Sequence, residues 1–395
     1  MPKDLLRPTD LRGAARLTTD AVLGLTGLVE ALHARIASLP TTPGAEQTGG
    51  LTGLVYKTVR GVTRVVGGSA EALLGWLGPA LLAPEADATQ PEREALIAAL
   101  NGVLGDHLAA TRNPLAIQMS LRTEGRALAL DPAALRARLP GATPRVLVLL
   151  HGLCMNDLQW RHDQQDHGQT LAREAGYTSV YLHYNTGLHI ADNGRQLAAL
   201  LEQLVQAWPV PIERLVLLGH SMGGLVARSA LHQTEGQPSL SWPGLATHLV
   251  CLGTPHLGAP LERIGHGVDQ LLGATPYAAP LARLGKVRSA GITDLRHGSV
   301  TAPGDDGPHP TVPLPTGVRC YTVAAHLGPE TSSVKSRLLG DGLVPLNSAL
   351  GHHRDPARRL LFPPDHQAIV PDTGHLELLS SAAVAGHLMR WLRGA

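Results

Sequence analysis

Aromatic side chains are scarce in this chain of 395 residues: one phenylalanine, six tyrosines and five tryptophans. Base-stacking platforms and the aromatic belts of membrane proteins both need more. Charge is also sparse. Charged residues make up 16%, and 33 Lys and Arg against 32 Asp and Glu leave a formal net charge of +1. That balance argues against a protein that holds nucleic acid by bulk positive charge, so no nucleic-acid partner is expected. There are three cysteines, Cys154, Cys251 and Cys320. They show neither CxxC nor zinc spacing, which excludes a disulfide scaffold and suits a reducing compartment. No stretch reaches the roughly 18 apolar residues of a membrane span. The nearest, 72–83, is broken by Gly75, Gly78 and Pro79. Charges interrupt the first twenty residues, unlike a signal peptide. We therefore expect a soluble, cytoplasmic protein, with no metal or other cofactor because no ligand cluster has the right spacing.

What is present is apolar. Hydrophobic residues are 44% of the chain, enough for a large core, and the 44 glycines and 30 prolines follow no period. Residues 1–111 read as a helical segment. Leu17, Ala21, Leu25, Leu28, Leu32, Ile36 and Leu39 lie three or four apart, on one helix face. Val55, Val59, Val62, Val66, Leu73 and Leu77 mark a second helix, and Leu96, Leu100, Val103, Leu104 and Leu108 a third. Such stripes must be buried somewhere. We expect this segment to dock as a cap or subdomain, with homo-oligomer formation and membrane-surface association as the other ways to bury it.

From 112 to 395 the pattern changes. Residues 117–130 alternate around Glu124-Gly125 like a hairpin. Short apolar strands then alternate with helices. Strands are predicted at 146–150, 180–183, 215–218, 248–252, 318–324 and 366–370, and helices at 193–208, 222–232 and 382–392. Continuously apolar strands in such an alternation predict a mostly parallel central sheet with helices on both faces, an α/β fold. Residues 256–316 read as an insertion.

Leu215 to Leu218 runs into Gly219-His220-Ser221-Met222-Gly223-Gly224. This is G-x-S-x-G between a strand and a helix. A serine lifted above a sheet edge on a sharp turn crowds its neighbours, which then must lack side chains. An oxyanion forming there needs two backbone N–H groups. One is expected from Met222, the residue after the serine. The other is expected from the loop after strand 146–150, His151-Gly152-Leu153, and Leu153 is assigned. His151 reads as a structural histidine bracing that loop, and Cys154 as packing.

A serine hydroxyl needs a base, and the base an orienting acid, in the chain order serine, acid, histidine. His375 follows the late strand and precedes the last helix, as the base should. His352 and His353 sit in a charged turn, and His387 lies within the final helix. For the acid, Asp341 stands between glycines in Gly340-Asp341-Gly342 after strand 318–324. Asp365, Asp372 and Glu377 are its rivals, and His256 is a competing histidine.

The elbow GHSMGG, the His151-Gly152 turn, the run CLGTPHLGAP at 251–260, GDGLVP at 340–345 and the His375 loop resemble the α/β-hydrolase superfamily over about 115–395. Within it they look most like bacterial lipases and esterases and the GPI inositol-deacylase-like branch. The resemblance implies Ser221 as nucleophile, Asp341 as acid, His375 as base, and Leu153 and Met222 as oxyanion donors; it makes His256 structural. It implies hydrolysis of a carboxylic ester, small-molecule or lipid. An acyltransferase or thioesterase with the same triad, and a non-catalytic interaction protein, are the alternatives.

Overall fold

The computed structural model describes residues 9–10, 12–17, 91–260, 289–302, 311–328 and 340–393. The helices expected over 17–39 and 55–77 and most of the 256–316 insertion lie outside the described residues. The chain divides into two compact units, Met1–Arg93 with Leu108–Ala116, and Glu94–His107 with Ile117–Ala395. Within the first, Arg93 holds Asp10 through two bonds of 2.6 and 2.7 Å, and Asn113 Nδ2 donates to Gly13 O at 3.0 Å.

The second unit is built on an eight-stranded sheet. In chain order its strands are β1 (Ser120–Thr123), β2 (Arg126–Ala127), β3 (Arg145–Leu150), β4 (Thr178–His183), β5 (Arg214–His220), β6 (Ala246–Leu252), β7 (Arg319–Ala325) and β8 (Gln367–Val370). The spatial order is β2-β1-β4-β3-β5-β6-β7-β8. From β4 to β8 every pairing is parallel, while the β1–β2 hairpin joins the edge antiparallel. The apolar runs explain the layering. In β3, Val146, Val148 and Leu150 enter one core with Leu215, Leu217 and Leu249; Leu147 and Leu149 enter the other with Val216, Leu218 and Val250. A side-chain period of two along each strand makes both faces apolar, so both need covering.

Helices supply the cover. They are α1 (Pro91–Ala110), α2 (Pro132–Arg138), α3 (His167–Ala175), α4 (Ile190–Ala207), α5 (Met222–Gln233), α6 (Trp242–Leu245), α7 (Ala290–His297), α8 (Leu346–Ala349) and α9 (Ala382–Leu392). Local chemistry sets several ends. Asp166 caps α3 by accepting from Gly168 N at 2.7 Å and Gln169 N at 3.1 Å, and Gly176 closes it with φ 69°. Ile190, Leu197, Leu201 and Leu204 form the buried stripe of α4. In α5 every residue from Met222 to Leu231 is buried. That helix is sealed against the sheet, so its N-terminus, and the residue preceding it, have little freedom.

Candidate active site

β5 ends at His220 and α5 begins at Met222, leaving Ser221 alone at the junction with φ 53° and ψ −121°. A side-chain-bearing residue avoids this region, at a cost of order 1–3 kcal/mol. The surroundings enforce it. Ser221 N–H donates to Leu252 O at 2.8 Å. A Cβ on Gly219 would lie 2.4 Å from Gly224 N, and one on Gly223 would lie 2.2 Å from Leu150 O. Neither position has room for a side chain, which is the steric origin of the two motif glycines. Met222 N–H is among the first amides of α5, which have no carbonyl partner within the helix. The helix dipole adds partial positive charge there.

His375 and Asp341 are brought together from loops after β8 and β7. His375 Nδ1 donates to Asp341 Oδ2 at 2.7 Å, and both side chains are buried. The same two loops are tied by backbone, His375 N–H donating to Asp341 O at 3.0 Å. Asp341 Oδ1 accepts from Leu343 N at 3.0 Å and Val344 N at 2.8 Å, which fixes the carboxylate plane. Two contacts join this pair to the elbow. His220 Nε2 donates to His375 O at 3.0 Å, with ring centroids 4.7 Å apart. Gly253, next to the Leu252 carbonyl that holds Ser221, lies so close that a Cβ on it would sit 3.2 Å from His375 Cε1 and 3.1 Å from Asp341 Oδ2. Burial, then the charge of His375, holds His220 well below the ordinary histidine range. His220 is therefore a neutral brace.

The loop after β3 lies against the same serine. A Cβ on Gly152 would be 3.1 Å from Ser221 Cβ, and Leu153 follows it, buried. His151 stacks on Tyr184 at 4.5 Å, its Nδ1 donates to Gly152 O at 3.0 Å, and Tyr184 Oη donates to His151 O at 2.8 Å. Burial drives the His151 pKa down to about 3, so the ring is neutral. Cys154 is buried too, and burial pushes its thiol up to about 12. It cannot supply a thiolate near neutral pH.

The rival groups lie elsewhere. Asp372 is exposed, and Asp365 lies 3.9 Å from His366. Glu377 Oε2 accepts from Gly374 N at 2.6 Å. His353 Nδ1 accepts from Asp355 N, and His387 rests against Trp391 with centroids 5.4 Å apart. His256 is buried beside Arg228. Among the described residues no group of three or more His, Cys, Asp or Glu is placed to hold a metal ion.

Sequence reasoning missed the support beneath the loops. Residues 94–107 of α1 pack directly on them. A Cβ on Gly102 would lie 2.2 Å from Cys154 Sγ, and Asn185 Nδ2 donates to Gly105 O at 2.9 Å. The signal was a pair of glycines one helical turn apart, on the face that meets the backbone after β3 and β4. A second buried histidine–aspartate pair, His183 with Asp157 at 3.2 Å, was also missed. His183 ends β4, Asp157 lies in the turn after β3, and no motif joins them.

Residues 142–324 match a protein family described as PGAP1-like alpha/beta domain. Over 103 residues the chain is 33% identical to the GPI inositol-deacylase of Schizosaccharomyces pombe, a stretch covering 26% of this chain and 8% of that protein. Among solved structures, the mature lipase BlEst2 of Bacillus licheniformis aligns with a TM-score of 0.43 and 20% identity, over 63% of this chain and 92% of the lipase. The Pyrococcus furiosus esterase Pf2001 aligns with a TM-score of 0.37 and 14% identity, over 64% of this chain and 83% of the esterase. The family match includes β3, the elbow and β6 but ends before Asp341 and His375. Residues 142–324 are thus similar to a PGAP1-like alpha/beta domain, and the mostly parallel sheet with its strand–serine–helix elbow is an α/β architecture.

Proposed function

We propose that this protein is a serine hydrolase of carboxylic esters, acting through an acyl-enzyme on Ser221. The observation that carries the reading is the His375–Asp341 pair at 2.7 Å, tied through His220 to the elbow on which Ser221 has φ 53°. Ser221 Oγ attacks the ester carbonyl while His375 Nε2 takes its proton. Asp341, bonded to Nδ1, keeps the ring in the tautomer that leaves Nε2 free to accept, and stabilises the imidazolium that forms. The N–H groups of Met222 and Leu153 receive the oxyanion. His375 then protonates the leaving alkoxide, and water activated by the same ring releases the acid.

The substrate is a small-molecule or lipid ester. An acyl ester on an inositol lipid is the lipid form suggested by the deacylase relative's name. The described residues contain no helix long and apolar enough to cross a membrane. All three cysteines are free and buried, which accords with a reducing, cytoplasmic setting.

The test is labelling by a fluorophosphonate, with the modified peptide located by mass spectrometry, beside turnover of p-nitrophenyl esters of graded acyl length. Label on Ser221 with turnover supports the reading. Label elsewhere, or none with pure folded protein, overturns it. A thioester substrate and an added alcohol separate hydrolysis from thioester cleavage and acyl transfer.

A further inference from the structure

The sequence places one arginine inside an otherwise apolar and small-residue helix: Leu225-Val226-Ala227-Arg228-Ser229-Ala230. In the structure Arg228 is 3% exposed. A guanidinium out of water is costly unless a carboxylate or other anion compensates it. Here its partners are both neutral. Nη2 donates to Val312 O at 2.6 Å, and Nη1 to His256 Nδ1 at 3.3 Å. Since arginine has no acceptor, His256 Nδ1 must be the bare nitrogen and Nε2 carries the proton. Burial, followed by the charge of Arg228, holds His256 well below the usual histidine range, so this neutral tautomer persists across ordinary pH.

These groups line a cavity of about 30 Å³ between α5, the 255–258 turn, the 297–300 segment and 311–312. Three buried polar atoms of its lining residues have no partner: Arg228 Nε, His256 Nε2 and Ser299 Oγ. All three carry a proton to donate. His297 and Arg358 add basic character to the lining, and among the described residues no carboxylate is part of it. The volume holds a water or a monatomic ion, and is too small for an acyl chain or a phosphate ester. Water can satisfy the donors but leaves the guanidinium charge uncompensated.

We propose that this cavity is a binding site for a halide-sized inorganic anion, chloride in the cell, held by Arg228, His256 and Ser299. The anion neutralises the buried cation and joins the helix that follows Ser221 to the turn that follows Gly253. It is a structural anion, two helical turns from the nucleophile, and its presence does not depend on the reaction assigned above.

Bromide is the probe, because it replaces chloride and scatters anomalously. Crystals of the full chain grown in bromide should show an anomalous peak beside Arg228. In solution, replacing sodium gluconate by sodium chloride at constant ionic strength should raise Tm by roughly 3 °C or more, and saturably. Ser299→Ala, which removes one donor without touching the charge, should move the midpoint of that rise to several-fold higher chloride. Arg228→Met should abolish it. If Arg228→Met does not fold, the bromide peak and Ser299→Ala still decide. A water in place of the peak, or equal Tm in chloride and gluconate, overturns the site.

Discussion

Among the described residues two buried histidine–aspartate pairs stand out, and one of them is tied to the Ser221 elbow through His220. His375 and Asp341 are 2.7 Å apart, and His183 and Asp157 3.2 Å. Their neighbours differ. Arg122 Nη1 reaches Asp157 at 3.3 Å and Glu94 at 2.9 Å, so the charge of Asp157 is shared within a closed network. Burial alone would raise the Asp157 carboxyl; His183 and then Arg122 outweigh it and hold it below the ordinary carboxylate range. Asp341 instead receives two backbone amides and His375. Among the described residues its partners are those amides and the His375 ring, with no arginine between them. Proximity of a histidine and an aspartate is thus a weak sign of catalysis. What the carboxylate has left to give, and what stands across the ring, carry more meaning.

The comparison can be broken most sharply at the serine. Ser221→Ala should fold normally by circular dichroism and lose ester turnover by about 10³-fold or more. Turnover close to that of the parent protein would remove the elbow from the mechanism. Next in size, Asp341→Asn should lower kcat by roughly 10²- to 10⁴-fold by releasing the wrong tautomer of His375. Asp157→Asn should leave kcat within a few-fold and lower Tm instead, since it removes one of the two carboxylates paired with the part-buried Arg122. An Asp157→Asn protein that is stable but inactive would reverse the roles assigned to the two pairs.

A smaller effect concerns the histidines that brace loops. His151 is neutral in the folded protein, its pKa lowered to about 3 by burial, but protonates near 6.5 once unfolded. Between those values the unfolded chain binds more protons, so stability is intact above about 6.5 and falls as pH drops towards 3. His220 and His256, lowered in the same direction, add to the loss. The slope from one such residue is at most about 1.4 kcal/mol per pH unit. His151→Gln should flatten the fall of Tm between pH 6 and 4, and an unchanged slope would show that His151 does not titrate on unfolding. The smallest effect is expected at Asp372. It is exposed, so Asp372→Asn should change neither stability by more than about 0.5 kcal/mol nor kcat appreciably. A large loss of turnover there would make Asp372 the partner of His375.

Much of this was legible because it is local. The strand at 146–150 is a run of apolar residues, and β3 occupies Arg145–Leu150; the helix expected at 382–392 is α9, Ala382–Leu392. The elbow was readable because its two glycines answer a steric demand within five residues. The α1 contacts were less so. The apolar spacing over 96–108 predicts a helix, and its glycines at 102 and 105 look like weak points. Only packing turns them into the places where the backbone after β3 and β4 comes close.

Periodicity, turn chemistry and the G-x-S-x-G spacing therefore determined by themselves the α/β layering, the strained position of Ser221 and a short set of acids and histidines. They act over a few residues, where bond geometry and side-chain period dominate. Which aspartate meets His375, which histidines stay neutral, and that Arg228 is sealed beside a small cavity with donors to spare, were decided by tertiary structure alone. Those outcomes depend on distances between loops more than thirty residues apart and on the exclusion of water, and neither is written in any local pattern.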